Sequence, residues 1–486
     1  MSETAKNLKL DQSQEPKSKK KGFQLPHVYI IFLIVMLLVV GLSWIVPSGE
    51  YARVADPNTG AMIVDPTQFA SGVEAKPITV FDYFKALHNG VVESAGIIVM
   101  LLLASGSIHL LNKSGAMGAG IQALIRVSGG KEIGIMLILA FVFTLMGTIG
   151  LGEGGIPFIP LVVSVAVGLG FDRVTGFATY GAGMMAGFTA GVANFYSTGI
   201  SQMLVGLPLY SGMTFRIISL LVFFVITAVY LVSYAKKIKK DPNKSVMAED
   251  YKEQLATVKH AQEDASASLE FTTRRKLALF GLAATFIINA YGPVQLKWGI
   301  PEMSAVWVMF AIVLVFILRL NPSQTAIEFG KGAGAILPAA LAIGFARSVV
   351  LLMNQAKIVD TAVHGLASSL QGQSAIVTLL LVFLSVVAFN FFVVSASGKA
   401  MMLMPILGPL AQILKINQQV MVTLYQFGDG ISNQLWPTSG ALMAGLAMVK
   451  IDFKAWFKYV WKLQIVLHIA AFILVYIAHL TNYGPF

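Results

Sequence analysis

The sequence predicts an all-α polytopic membrane protein made of two inverted repeats, each holding a re-entrant hairpin and a broken transmembrane helix. Three observations carry that prediction. Hydrophobic residues make up 56% of the 486 and charged residues only 12%, about half the roughly 25% of soluble domains. Stretches such as 28–47, 303–318 and 463–481 run without an acidic or basic residue other than His, near the roughly 20 residues that cross about 30 Å of hydrocarbon. Third, a small, polar, Gly-rich kink inside apolar sequence occurs twice, about 245 residues apart. One copy holds Gly150, Gly152, Gly154 and Gly155, then Asn194, Ser197 and Thr198; the other holds Ser395, Ser397 and Gly398, then Gly428, Gly430, Thr438 and Ser439. Irregular backbone at membrane depth is tolerated only where it is buried in protein or lines a cavity. Paired interruptions in two halves point to a transporter's binding site, so the chain reads as a secondary transporter.

The elements follow in order from hydropathy and charge. Lys6, Lys9, Lys17, Lys19, Lys20 and Lys21 hold the basic tail 1–22 in the cytoplasm. The first apolar segment has no small-residue cleavage site and is a retained span, not a signal peptide. The first transmembrane half, 23–235, starts with a span at about 28–48 and an outer loop 49–84 carrying Glu50, Asp56, Asp65 and Glu74. A span at about 92–111 returns to Lys113, Arg126 and Lys131, and 114–128 is an interfacial helix. Hairpin 132–171 has Lys131 at one end and Asp172 and Arg173 at the other, so both ends lie on one side. Spans at about 178–203 and 213–235 follow, the second landing on Lys236, Lys237, Lys239 and Lys240.

Residues 236–276 form a cytoplasmic connector, a mixed-charge helix or linker and not a domain. The second half, 277–486, has spans at about 277–292, 303–320 and 334–353, then an external interfacial stretch 356–370 and hairpin 374–413. Spans at about 420–446 and 460–481 close the chain, with Lys450, Lys454, Lys458 and Lys462 inside and the C-terminus outside. Five crossings separate the span at 92 from its counterpart at 334, an odd number, so the halves are oppositely oriented. An offset of 245 places Pro160 on Pro405, Tyr180 on Tyr425 and Gly183 on Gly428, and an offset of 242 places Gly130 on Gly372.

Composition also excludes. The net charge of +11 is accounted for by inside loops and anionic lipid, so the bilayer and no nucleic acid is the implied partner. With no cysteine, disulfides and thiolate metal sites are ruled out, and His109 and His468 stand alone, without a second ligand at i+4. No cofactor is implied. An intramembrane hydrolase needs a nucleophile with a positioned base; no His lies in either kinked segment, so the chain is not read as an enzyme. A channel needs a continuous pore, whereas two hairpins at one site argue for alternating access.

Candidate binding residues come from the kinks. Free N–H groups at a half-helix start attract carboxylates, while carbonyls and Ser, Thr or Asn oxygens suit Na⁺ or ammonium. The first break offers Gly152, Asn194, Ser197 and Thr198; the second offers Ser432, Asn433, Thr438 and Ser439; the second tip offers Ser395, Ser397 and Gly398. Such hydroxyls also serve as helix-packing contacts. Ionisable residues deep in a span are functional candidates by default, which singles out Glu153 at the first tip and Asp429 at the second break. Either can hold a cationic substrate group, ligate Na⁺ or carry H⁺. Arg347 and Lys399 oppose them: Arg347 as partner of Asp429 or of a substrate carboxylate, Lys399 as partner of Glu153 in an interhairpin ion pair. Glu93 lies near a membrane boundary. Asn390, before Phe391 and Phe392, lines the cavity or satisfies broken backbone. On this reading Asp429→Asn abolishes transport and leaves folding intact.

The segments 389–398 (FNFFVVSASG), 426–433 (QFGDGISN) and 437–439 (PTS) resemble the YfcC-like branch of the C4-dicarboxylate uptake C (DcuC) family of the ion transporter superfamily. The likeness covers nearly the whole chain. It implies two hairpins, a homodimer through scaffold helices, elevator-type movement of the hairpin domain, and a place in the bacterial inner membrane. Members of this branch resemble basic amino-acid carriers, arginine/ornithine exchangers among them, while the family name comes from dicarboxylate carriers. Two departures make the site less negative: Glu153 is followed by Gly154 where relatives carry a Glu pair, and Lys399 stands where a neutral residue is expected. The expected function is exchange, or H⁺- or Na⁺-coupled transport, of a basic amino acid, with a C4-dicarboxylate or other small carboxylate as the alternative.

Overall fold

The computed structural model describes residues 28–55, 62–263, 270–296, 298–370 and 372–484. The basic tail 1–22, Asp56 and the last two residues lie outside them. Helix α1 (Val28–Ile45) leads into a two-stranded antiparallel hairpin, β1 (Gly49–Ala55) and β2 (Met62–Ser71). Then come α2 (Val80–Glu93), α3 (Ala95–Lys113), α4 (Ala116–Ser128), α5 (Glu132–Thr148), a 3₁₀ segment (Gly152–Phe158) and α6 (Ile159–Gly168). Helix α7 (Arg173–Ala190) is followed by a π-turn (Phe195–Gly199), α8 (Ile200–Leu204) and α9 (Met213–Lys240). The connector carries α10 (Ala248–Glu263). The remaining helices are α11 (Thr273–Gln295), α12 (Ile300–Leu318), α13 (Pro322–Gln355), α14 (Val359–Leu370), α15 (Ala375–Phe389), α16 (Ala396–Ile413), α17 (Gln418–Ser432), α18 (Gly440–Met448) and α19 (Phe453–Leu480). Among the described residues, α3, α9, α12, α13 and α19 are long and apolar enough to cross a membrane.

One correction follows. The fold is not purely helical, because the expected outer loop 49–84 contains β1, β2 and the start of α2. The hairpin is clipped to α14: Arg53 Nη2 reaches Asp360 Oδ2 at 2.9 Å, Lys357 Nζ reaches Glu50 Oε2 at 2.8 Å, and Phe69 stacks on His364 at 3.9 Å. Helix α2 starts on a capping box, in which Asp82 N–H donates to Thr79 Oγ1 and Thr79 N–H donates to Asp82 Oδ2, so orphan donors of the first turn are satisfied.

The helices approach closely where side chains vanish. In α7, Gly183 and Gly187 press on α5, where a Cβ on Gly187 would sit 1.8 Å from the Thr144 carbonyl oxygen. Thr144 Oγ1 donates across the gap to the Gly183 carbonyl at 3.0 Å. This is the small-residue packing that membranes favour, since lipid supplies no hydrophobic force between helices. Asp172 caps α7 from a fully buried position: it accepts from Thr175 N–H and Oγ1 at 2.8 and 2.6 Å, and from Tyr234 and Ser245 hydroxyls at 2.7 and 2.6 Å.

Helix α13 has 34 residues and carries Pro338 within it. It packs beside α3 and α2, and charged groups join it to the end of α3 and to the end of α2. At one end Glu328 meets Lys113 (2.6 Å), Lys331 (2.9 Å) and His109 (3.3 Å); at the other, Arg347 Nε meets Glu93 at 2.7 Å.

Candidate functional site

Each candidate break follows a helix that stops short. Helix α7 ends at Ala190 because Gly191 turns left-handed (φ +58°), and the chain resumes helical form only in the π-turn. Helix α17 ends at Ser432, and Ser439 restarts the chain by accepting from Leu442 N–H at 3.4 Å. The two broken helices cross just before their breaks: a Cβ on Gly430 would lie 2.5 Å from Thr189 Cα. Beyond the crossing, Thr198 Oγ1 lies 2.9 Å from the Gly191 carbonyl and 3.0 Å from Gln426 Oε1, and Gln426 Nε2 donates to the Phe188 carbonyl. The first break is thereby in contact with α17, ahead of the second break.

Each tip touches the break of its own half. At the first, Gly150 (φ +77°) turns the chain after α5, and a Cβ there would meet Asn194 Oδ1 at 2.4 Å. Ala193 N–H donates to the Thr148 carbonyl at 3.0 Å, and Asn194 Oδ1 accepts from Tyr196 N–H at 3.1 Å. Gly152 also has positive φ, +48°. Glu153 is exposed and makes no hydrogen bond or ion pair among the described residues.

At the second tip Ser395 caps α16, accepting from Gly398 N–H at 3.2 Å, while Ser397 is half-buried. Lys399, one turn into α16, is fully buried with Asp429: its Nζ lies 2.7 Å from Asp429 Oδ1 and 2.5 Å from Asn390 Oδ1. The Asp429 contact is an ion pair by distance, because neither carboxylate oxygen accepts a hydrogen bond of good angle. Asn390 spends its amide on the second break, reaching Ser432 Oγ at 2.8 Å, Asn433 Oδ1 at 2.9 Å and the Asp429 carbonyl at 3.3 Å.

The pairings differ from those expected in two places. Lys399 meets Asp429 and not Glu153, because one turn of α16 faces the last turn of α17. Arg347 meets Glu93 and not Asp429, both groups being about 40% exposed (43% and 41%) at the far end of α13. Four buried polar atoms, Asn194 Nδ2, Ser197 Oγ, Ser201 Oγ and Thr438 Oγ1, have no partner among the described residues, an uncommon condition for buried groups. Ser201 and Gln426 were not among the candidates from sequence. Both are polar side chains inside apolar helices, a signal that would have picked them out.

The sequence model of the family described as the C4-dicarboxylate anaerobic carrier, DcuC, matches residues 25–480. An uncharacterized protein of Haemophilus influenzae is 28% identical over 92% of this chain and 95% of its own length. A protein of Escherichia coli K12 named "Putative basic amino acid antiporter YfcC" is 28% identical over 90% of this chain and 93% of its own. Among solved structures the chain is similar to the YdaH transporter of Alcanivorax borkumensis, with 16% identity and a TM-score of 0.42 over 95% of this chain and 100% of that one. It is also similar to MtrF of Neisseria gonorrhoeae, with 18% identity and a TM-score of 0.41 over 94% and 96%. Likeness at that level fixes neither topology nor substrate.

Proposed function

This chain belongs to the DcuC family of membrane transporters, and we propose that it exchanges basic amino acids across the membrane by alternating access where its two broken helices cross. The observation that carries the substrate class is the state of the charges. Lys399 and Asp429 neutralise each other, as do Arg347 and Glu93, which leaves Glu153, among the described residues, as the unpaired charge at the tips. One free acid suits a substrate with a side-chain cation. The first break, where Asn194 Nδ2 and Ser197 Oγ have no partner among the described residues, supplies neutral polar groups for an amino acid's own carboxylate and ammonium. The name of the Escherichia coli relative points the same way.

A mechanism follows in which hairpins 132–171 and 374–413 act as re-entrant gates on oppositely oriented halves and move together against α3, α12 and α13. The family description favours a second substrate class, the C4-dicarboxylates. That reading needs cations at the site, and both candidates are already engaged.

Counterflow in proteoliposomes decides between them. Vesicles loaded with unlabelled arginine are expected to accumulate labelled arginine or ornithine, and vesicles loaded with succinate are expected to accumulate no labelled succinate. Glu153→Gln is expected to reduce arginine counterflow by roughly tenfold or more, equivalent to about 1.4 kcal/mol of binding. Succinate counterflow without arginine counterflow would replace the amino-acid reading with the dicarboxylate one.

A further inference from the structure

The second tip is built as a cation site, and the protein has filled it with its own side chain. Helix α15 ends at Phe389 and α17 ends at Ser432, so two helix C-termini, each with partial negative charge, converge near Asn390 and Asp429. Half-helix C-terminal ends of this kind coordinate the coupling ion in transporters with broken helices. Here the Lys399 ammonium occupies the position, 2.5 Å from Asn390 Oδ1 and 2.7 Å from Asp429 Oδ1, with no exposure of either charged side chain.

The architecture does not require charges there. At the offset of 245 that aligns Pro160 with Pro405, Lys399 falls on Gly154 and Asp429 on Met184. The two equivalent positions themselves carry no charge, although Glu153 precedes Gly154, and a Cβ on Gly155 would meet Met184 Cε at 2.7 Å. A buried ion pair is weak evidence for stability, and the two equivalent positions of the first half do without one. The pair therefore calls for another role.

We propose that the Lys399 ammonium stands in place of a free alkali cation at the second tip, so that transport needs no Na⁺. This rests on the carrier reading above. It gives the charge of Asp429 a permanent counter-ion, tethered to the hairpin and unable to dissociate when substrate leaves. A carrier so built has no second solute gradient to draw on at this tip, which fits exchange of one substrate for another.

The test uses purified full-length protein in two readouts. In proteoliposomes, wild-type arginine counterflow is expected to be equal in NaCl and choline chloride. Lys399→Ala is expected to lose it in choline and regain roughly tenfold in NaCl or methylammonium chloride. In detergent, NaCl is expected to raise the melting temperature of Lys399→Ala over that in choline and to leave the wild type unchanged. Wild-type counterflow that needs Na⁺ would overturn the proposal even if the variant fails to fold. So would a folded Lys399→Ala that exchanges fully in choline, or one that no cation rescues. Absence of wild-type counterflow with arginine and with succinate would count against the carrier reading alone, and the melting measurement would still decide the cation site.

Discussion

Asp429 holds the charge paired with Lys399 among the described residues, and its replacement has two separable effects. Removing a partner from a buried pair strands the other charge, at a cost of about 3–5 kcal/mol. Asp429→Asn is therefore expected to lower the melting temperature clearly as well as to stop exchange, which revises the expectation that folding would be untouched. The double variant Lys399→Met/Asp429→Asn, neutral and similar in volume, is expected to recover most of the lost stability while staying inactive. A double variant no more stable than Asp429→Asn would show that the pair itself, not the stranded ammonium, sets the stability. The four candidates around this pair were legible as residues: Asn390, Lys399, Asp429 and Ser432 each stand out as polar in apolar sequence. Their partners were not legible, because pairing depends on how α15, α16 and α17 meet in space, about 30 to 40 residues apart in the chain.

At the scale of elements, the closest contact in the first half is the crossing of α5 and α7. With the Thr144 carbonyl oxygen 1.8 Å from where a Gly187 Cβ would stand, even Gly187→Ala forces the helices apart, an overpacking cost of about 1–3 kcal/mol. Gly187→Val is expected to yield little monodisperse protein on size-exclusion chromatography, whereas Gly134→Ala on α5, with nothing within 4 Å, is expected to behave as wild type. Normal yield of Gly187→Val would mean that α5 and α7 do not pack as described. The long apolar helices were readable from composition, and the breaks from their glycines. What sequence reading missed was the outer segment. The capping box of Thr79 and Asp82 announces α2 in plain sequence, yet the polar stretch before it resembled a loop. The docking of the β1–β2 hairpin uses Asp360 and His364, about 300 residues away, which no local pattern reveals.

For the molecule as a whole, the orientation of the first half and the connector is open to direct chemical test. The natural chain contains no cysteine, so a single introduced thiol reports its own side of the membrane. Ser71→Cys, at the end of β2, is expected to react with an impermeant maleimide in intact cells, and Lys252→Cys on α10 only after permeabilisation. Labelling in the reverse order would invert the orientation proposed for the first half and the connector.

The charges that tie α13 to the two ends of α3, one of them on the last residue of α2, have a consequence of their own. Glu93 and Lys113 bracket α3, and Arg347 and Glu328 are their partners on α13. Nineteen positions separate Glu328 from Arg347, a rise of about 28 Å, close to the roughly 30 Å thickness of hydrocarbon. Two antiparallel helices thus carry the same pair of marks at the same spacing, a gauge that sets how deeply the protein rides. Lengthening the acyl chains would drag one charged clasp into oil or force both helices upright. The carrier should therefore turn over fastest in bilayers of one thickness and slow on either side of it.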